Sequence, residues 1–68
     1  MKSISGKQFA RILQRRGWHL LRVRGSHHLF KHPDVREHIA LPIHGNEDMK
    51  IGALRTLMKI AGIEEHDL

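Results

Sequence analysis

Apolar positions along this chain change their spacing from one segment to the next. Near the start, Phe9, Ile12 and Leu13 recur at helical intervals behind Ser5-x-x-Gln8, a capping-box arrangement. Arg15 and Arg16 suit the last turn of such a helix and Gly17 the position just beyond it, which predicts a helix from Gly6 to Arg16. From Trp18 to Arg24 the period shortens to two. Gly25-Ser26 interrupts it as a turn, His27 to His32 resumes an extended pattern, and Pro33-Asp34 ends that run. Glu37 to Ile43 is a third extended segment, with Ile39, Leu41 and Ile43 two apart. A polar loop, His44-Gly45-Asn46-Glu47-Asp48, leads into a second helix from Lys50 to Ala61. Ile51, Leu54, Leu57, Met58 and Ala61 form its apolar stripe, and Gly62 is its stop.

Short links between three consecutive strands imply an antiparallel meander. The expected fold is therefore α+β in the order α-β-β-β-α, with residues 1–68 as one domain. Two amphipathic helices can cover one face of a three-stranded sheet and leave the other open. A double-stranded-RNA-binding domain has this arrangement in its simplest form.

Successive strand residues point to opposite faces, so the pattern also assigns sides. If the helices take the more apolar set, they face Leu21 and Val23, then Phe30, then Ile39, Leu41 and Ile43. The open face then carries Leu20, Arg22 and Arg24, with His27, Leu29 and Lys31, and with His38 and Ala40. The same parity turns His28 and His32 towards the core beside Phe30.

Charge gives that open face a meaning. Twelve Lys and Arg against seven Asp and Glu leave a net charge of +5 on 68 residues. Such an excess points to an anionic partner, whether nucleic acid, an acidic protein or an anionic membrane. Cysteine is absent, which excludes disulfides and thiolate zinc sites. No run approaches the roughly 18 apolar residues of a membrane span. The N-terminal segment carries its charges inside the apolar pattern, unlike a signal peptide, and a cytoplasmic location is expected. Aromatic residues make up only 4% of the chain, too few for a base-stacking platform, so recognition through backbone phosphates and shape fits better.

Seven histidines stand out in a chain this short. Histidine exchanges a proton near neutrality. RNA can be cleaved by its own 2′-hydroxyl if one group removes that proton, another protonates the leaving oxygen, and cations absorb charge on the phosphate. His27 beside Arg22, Arg24 and Lys31 supplies those residue types, and Gly25-Ser26 is a turn small enough for a phosphate to approach the backbone. A strand histidine is more often a surface residue than a catalyst, and Gly25 and Ser26 also suit an ordinary hairpin, so the residues alone leave both readings open. His28 fits a packed or hydrogen-bonded edge role, His32 a strand end and His44 the start of a loop. His19 and His66 are expected simply to be exposed. No metal or other cofactor is expected: His28 and His32 share a strand face but lie roughly 13 Å apart, too far for one ion.

The segment Gly25-Ser26-His27-His28-Leu29-Phe30-Lys31-His32-Pro33 resembles the signature of HicA-type toxins, the small mRNA interferases of bacterial toxin–antitoxin pairs. Arg16-Gly17-Trp18 resembles the end of that family's first helix, and Leu41-Pro42-Ile43-His44-Gly45 its third strand and exit. Ile51-Gly52-Ala53-Leu54-Arg55 through Lys59-Ile60-Ala61-Gly62 resembles its final helix. The resemblance implies a double-stranded-RNA-binding-like fold, ribosome-independent cleavage of mRNA, and neutralisation by a HicB-like antitoxin that covers the active surface. It also places the family's catalytic histidine on His27. Two positions depart from the family pattern: Ala53 stands where threonine is common, and Glu47-Asp48 make the loop before the last helix more acidic. A non-catalytic RNA-binding module of the same fold is the alternative, and an interaction protein that docks an acidic partner is a further one.

Overall fold

The computed structural model describes residues 1–68, and its elements run α1 (Gly6–Arg15), β1 (His19–Arg24), β2 (His27–His32), β3 (Val35–Pro42) and α2 (Ile51–Ala61), followed by a short 3₁₀ turn at Glu65–Asp67. The strands form one antiparallel sheet in the order β1-β2-β3, the α-β-β-β-α arrangement expected from the pattern. Helix α1 starts as its sequence specifies. The Ser5 hydroxyl accepts from the Gln8 backbone N–H at 3.1 Å, while the Gln8 side chain accepts from the Ser5 N–H at 2.9 Å. Together they satisfy two donors that the first turn would otherwise orphan.

Phe9, Ile12 and Leu13 of α1 and Leu54, Leu57 and Met58 of α2 bury against Phe30, Ile39 and Leu41 of the sheet. Trp18, Met49 and Ile63 close the ends of this core. Trp18 precedes β1 instead of opening it: its N–H returns to the Leu13 carbonyl at 3.0 Å, and its ring is buried. Gly6 is where α1 approaches the sheet most closely. A methyl group there would stand 2.6 Å from the Pro42 carbonyl oxygen and 3.2 Å from the Ile43 Cα, so only glycine admits this contact.

The structure corrects three expectations. Strand β3 begins at Val35, not Glu37, because Pro33-Asp34 is a two-residue turn that pairs His32 directly with Val35; the extra residues are absorbed in an irregularity between the Phe30–Ile39 and His32–Val35 pairs. Strand β1 carries a bulge. Leu20 pairs with Phe30 and Arg22 with Leu29, so Leu21 is an extra residue and the parity reverses across it. Leu20 thus lies on the helix side of the sheet, not on the open face. Finally, the helices lie over β3 and the centre of the sheet and leave β1 uncovered. Leu21 and Val23, expected in the core, are 51% and 52% exposed, and every residue of β1 is open to solvent.

The chain ends are tied to the body. The Met49 N–H donates to the Ile4 carbonyl at 2.8 Å, and the Ser3 hydroxyl donates to the Met49 carbonyl. The Arg16 guanidinium pairs with Asp67 at 2.8 Å, joining the end of α1 to the C-terminal turn. No helix is long and apolar enough to cross a membrane.

Candidate nucleic-acid interface

Because Phe30, Ile39 and Leu41 face the helices, their neighbours in sequence face away. The register builds this outer surface in rows across the strands. Arg24, His27 and Pro42 form one row, Arg22, Leu29 and Ala40 the next, and His19 with Lys31 a third. Arg22, Arg24, His27 and Lys31 are all exposed. Paired strand residues have Cβ atoms about 4.5–5.5 Å apart, so Arg24 and His27 are immediate neighbours.

None of the three cations has an internal partner. No carboxylate lies within ion-pairing distance of Arg22, Arg24 or Lys31; the ion pairs of the molecule are at Met1, Arg16 and His66. A surface of free guanidinium and ammonium groups on a sheet can bind a polyanion without first breaking contacts of its own.

Gly25 and Ser26 form the hairpin turn between the Arg24–His27 pair. Gly25 has φ +59° and Ser26 a negative φ, the combination of a type II′ turn that matches strand twist. Open space surrounds the Gly25 Cα. The Ser26 carbonyl accepts from the Ile43 N–H at 2.8 Å, which carries the β2–β3 ladder one step past Pro42. The inward alternation Ile39, Leu41, Ile43 therefore continues one residue past the strand, and the outward one runs Ala40, Pro42.

Three histidines of β2 have distinct surroundings. His32 is bound at both ring nitrogens: the Asp34 N–H donates to Nδ1 at 3.0 Å, and Nε2 stands 3.0 Å from the Arg16 carbonyl. One nitrogen accepts and the other donates, which specifies the Nε2–H tautomer of a neutral ring. Its ring also leans on Trp18, with centroids 5.3 Å apart. His28 is half-buried on the helix side opposite Leu41, with Nδ1 donating to the Ser26 carbonyl at 3.3 Å. His27 alone of the three is exposed, and it makes no side-chain hydrogen bond within 3.5 Å.

His19 was overlooked by strand parity. The bulge at Leu21 brings it to the outer face opposite Lys31, and no feature of the local sequence announces that bulge. His38 falls in the irregular part of β3 and is exposed. No group of three or more His, Asp or Glu side chains is placed to hold a metal ion.

The family described as "HicA toxin of bacterial toxin-antitoxin" matches residues 6–63, from the start of α1 to just past α2. This chain belongs to the HicA toxin family. Among solved structures it is similar to a chain of the "HicA3 and HicB3 toxin-antitoxin complex", at 35% identity and a TM-score of 0.67, over 90% of this chain and 96% of that one. Among curated proteins it has no significant match. The HicA signature Gly25-Ser26-His27-His28 thus falls at the hairpin and first half of β2. It divides there into an outward imidazole, His27, and an inward one, His28.

Proposed function

We propose that this HicA toxin is an RNA endonuclease, an mRNA interferase, with His27 as a general acid or base. The observation that carries the reading is the contrast within β2. The His28 and His32 rings are engaged in the fold, whereas the His27 imidazole stands free among unpaired cations. Arg22, Arg24 and Lys31 would hold backbone phosphates of the RNA. The Gly25-Ser26 turn would let a phosphate come close to the backbone beside His27.

The chemistry needs no resident metal. The RNA supplies its own nucleophile, the 2′-hydroxyl, and the cations offset charge that builds on the phosphate. DNA lacks that hydroxyl and would not be cut. The protein partner would be a HicB-like antitoxin, a reading supported by the similarity to a chain of the HicA3 and HicB3 complex; covering the outer face would be its means of neutralising the site.

The deciding experiment is incubation of purified protein with RNA in EDTA beside His27→Ala. Wild type should cut, and the variant should lose roughly 10² or more in rate while still binding RNA. Activity that EDTA abolishes and magnesium restores would overturn the metal-free reading. A folded His27→Ala protein that cuts at the wild-type rate would overturn the assignment of His27. Binding without cleavage by wild type would leave an RNA-binding module.

A further inference from the structure

We propose that His44 is the second proton-transfer residue of the site, acting with His27 on the two ends of one phosphodiester step. The inference rests on the RNA-cleavage reading above and names the group that reading lacks. Cleavage by the 2′-hydroxyl forms a bond from the 2′-oxygen to phosphorus as the bond from phosphorus to the 5′-oxygen breaks. One proton leaves the 2′-hydroxyl and one must reach the 5′-oxygen. A single imidazole cannot stand on both sides of the phosphorus in that step. The products are a 2′,3′-cyclic phosphate and a 5′-hydroxyl, with one imidazole left protonated and the other neutral, and water restores both.

The register finds the partner. His27 pairs with Pro42, and the Ile43 N–H bonds to the Ser26 carbonyl at 2.8 Å, so the two strands are still laddered one residue beyond that pair. Ile43 packs against the core, and the same alternation carried one residue further sets His44 towards the side of Pro42 and Ala40. A residue two beyond a direct pair is a diagonal neighbour on the same face, at about 7–8 Å. That spacing suits two imidazoles that flank a phosphate, each within hydrogen-bond reach of a different oxygen. The other exposed imidazoles of the sheet are farther off: His19 sits opposite Lys31, four residues along β2 from His27, and His38 lies four residues along β3 from Pro42, each roughly 13 Å away and too far to share one phosphate.

His44 is exposed and its ring makes no hydrogen bond, as with His27. Its backbone is held instead: the His44 carbonyl accepts from the Glu47 N–H at 3.0 Å in a tight turn. His44 borders a hollow at the end of β3 that reaches the start of α2, lined also by Pro42, Glu47, Asp48, Met49, Lys50 and Ala53. Charged groups of both signs thus face it from the loop and from the start of α2, while Arg24 flanks His27 from β1.

The test is the pH–rate profile of RNA cleavage by wild type, His27→Ala, His44→Ala and His44→Gln, with the product ends identified. Wild type should give a bell-shaped profile and 2′,3′-cyclic phosphate ends. Both His44 variants should melt near wild type and bind RNA normally. Each should lose roughly 10²-fold in kcat and one limb of the bell, with His27→Ala losing the other. His44 variants that keep both limbs and a rate within a few-fold of wild type overturn the proposal while leaving His27 in place. A wild-type protein that cuts RNA but leaves neither 2′,3′-cyclic phosphate nor 3′-phosphate ends overturns the 2′-hydroxyl route and this proposal with it; one that does not cut RNA overturns the cleavage reading itself.

Discussion

Adjacent histidines of the same motif have opposite surroundings because a strand turns successive side chains to opposite faces. His27 carries no packing, so His27→Ala should change stability by no more than about 0.5 kcal/mol. His28 is half-buried against Leu41 and bonded to Ser26. His28→Ala should destabilise by about 1–2 kcal/mol in a denaturant titration, with any loss of cleavage following the loss of folded protein. If His28→Ala proves as stable as wild type yet inactive, the roles of the two rings are reversed. Much of this was legible in the chain. Phe30 outweighed Leu29 as the inward residue of β2, and that choice alone set His27 outside. The full engagement of His32 was not legible, because beyond its local bond from Asp34 its partners, Arg16 and Trp18, lie in the link between α1 and β1 and meet it only through the tertiary fold.

Among the elements, α1 and β3 are matched at one point of near contact. Gly6→Ala would press a methyl group onto the Pro42 carbonyl and Ile43, neither of which is a flexible side-chain end. It should cost about 1–3 kcal/mol, read as a lower midpoint in urea with an unchanged slope, although alanine is the better helix former. Strand β1 contributes the opposite kind of surface. Arg22→Ala with Arg24→Ala should weaken RNA binding and flatten the dependence of log Kd on log salt by about 1.4, since each single-strand phosphate contact accounts for about 0.7. An unchanged slope would place RNA elsewhere. Helices and strand order could be read from apolar spacing, because capping residues, glycines and the Pro33-Asp34 turn mark boundaries locally. The bulge at Leu21 could not. It is a response to pairing with β2, and nothing in His19-Leu20-Leu21-Arg22 distinguishes a bulged strand from a regular one.

At the scale of the whole molecule, the C-terminal turn is held to α1 by a carboxylate. The Glu64 backbone N–H donates to Asp67 at 2.9 Å and holds that carboxyl below its usual range; Arg16 and His66 act in the same direction, against partial desolvation. A carboxyl that ionises more readily when folded stabilises the fold at pH values above its unfolded value. That contribution is lost as pH falls through the folded value, so the relevant window lies below about pH 4. Thermal melts of wild type and Asp67→Asn should therefore differ at pH 6 and converge towards pH 2–3. A difference that persists at pH 2 would show that the asparagine change acts through packing and not through charge.

Strand β1 has an unpaired outer edge, and it bears Leu20, Leu21 and Val23 at 44%, 51% and 52% exposure. Such an edge is a template on which further strands can assemble, and natural proteins blunt it with bulges and charge. Here the bulge at Leu21 and the arginines at 22 and 24 serve as those guards. Protection of the edge thus falls to the same two side chains that are proposed to bind phosphate. A doubly neutralised β1 would present His-Leu-Leu-Ala-Val-Ala along an open edge, a low-charge apolar stretch of the kind that nucleates fibrils. Light scattering belongs beside every binding curve measured on that variant, at low protein concentration, so that lost affinity is not confused with lost monomer.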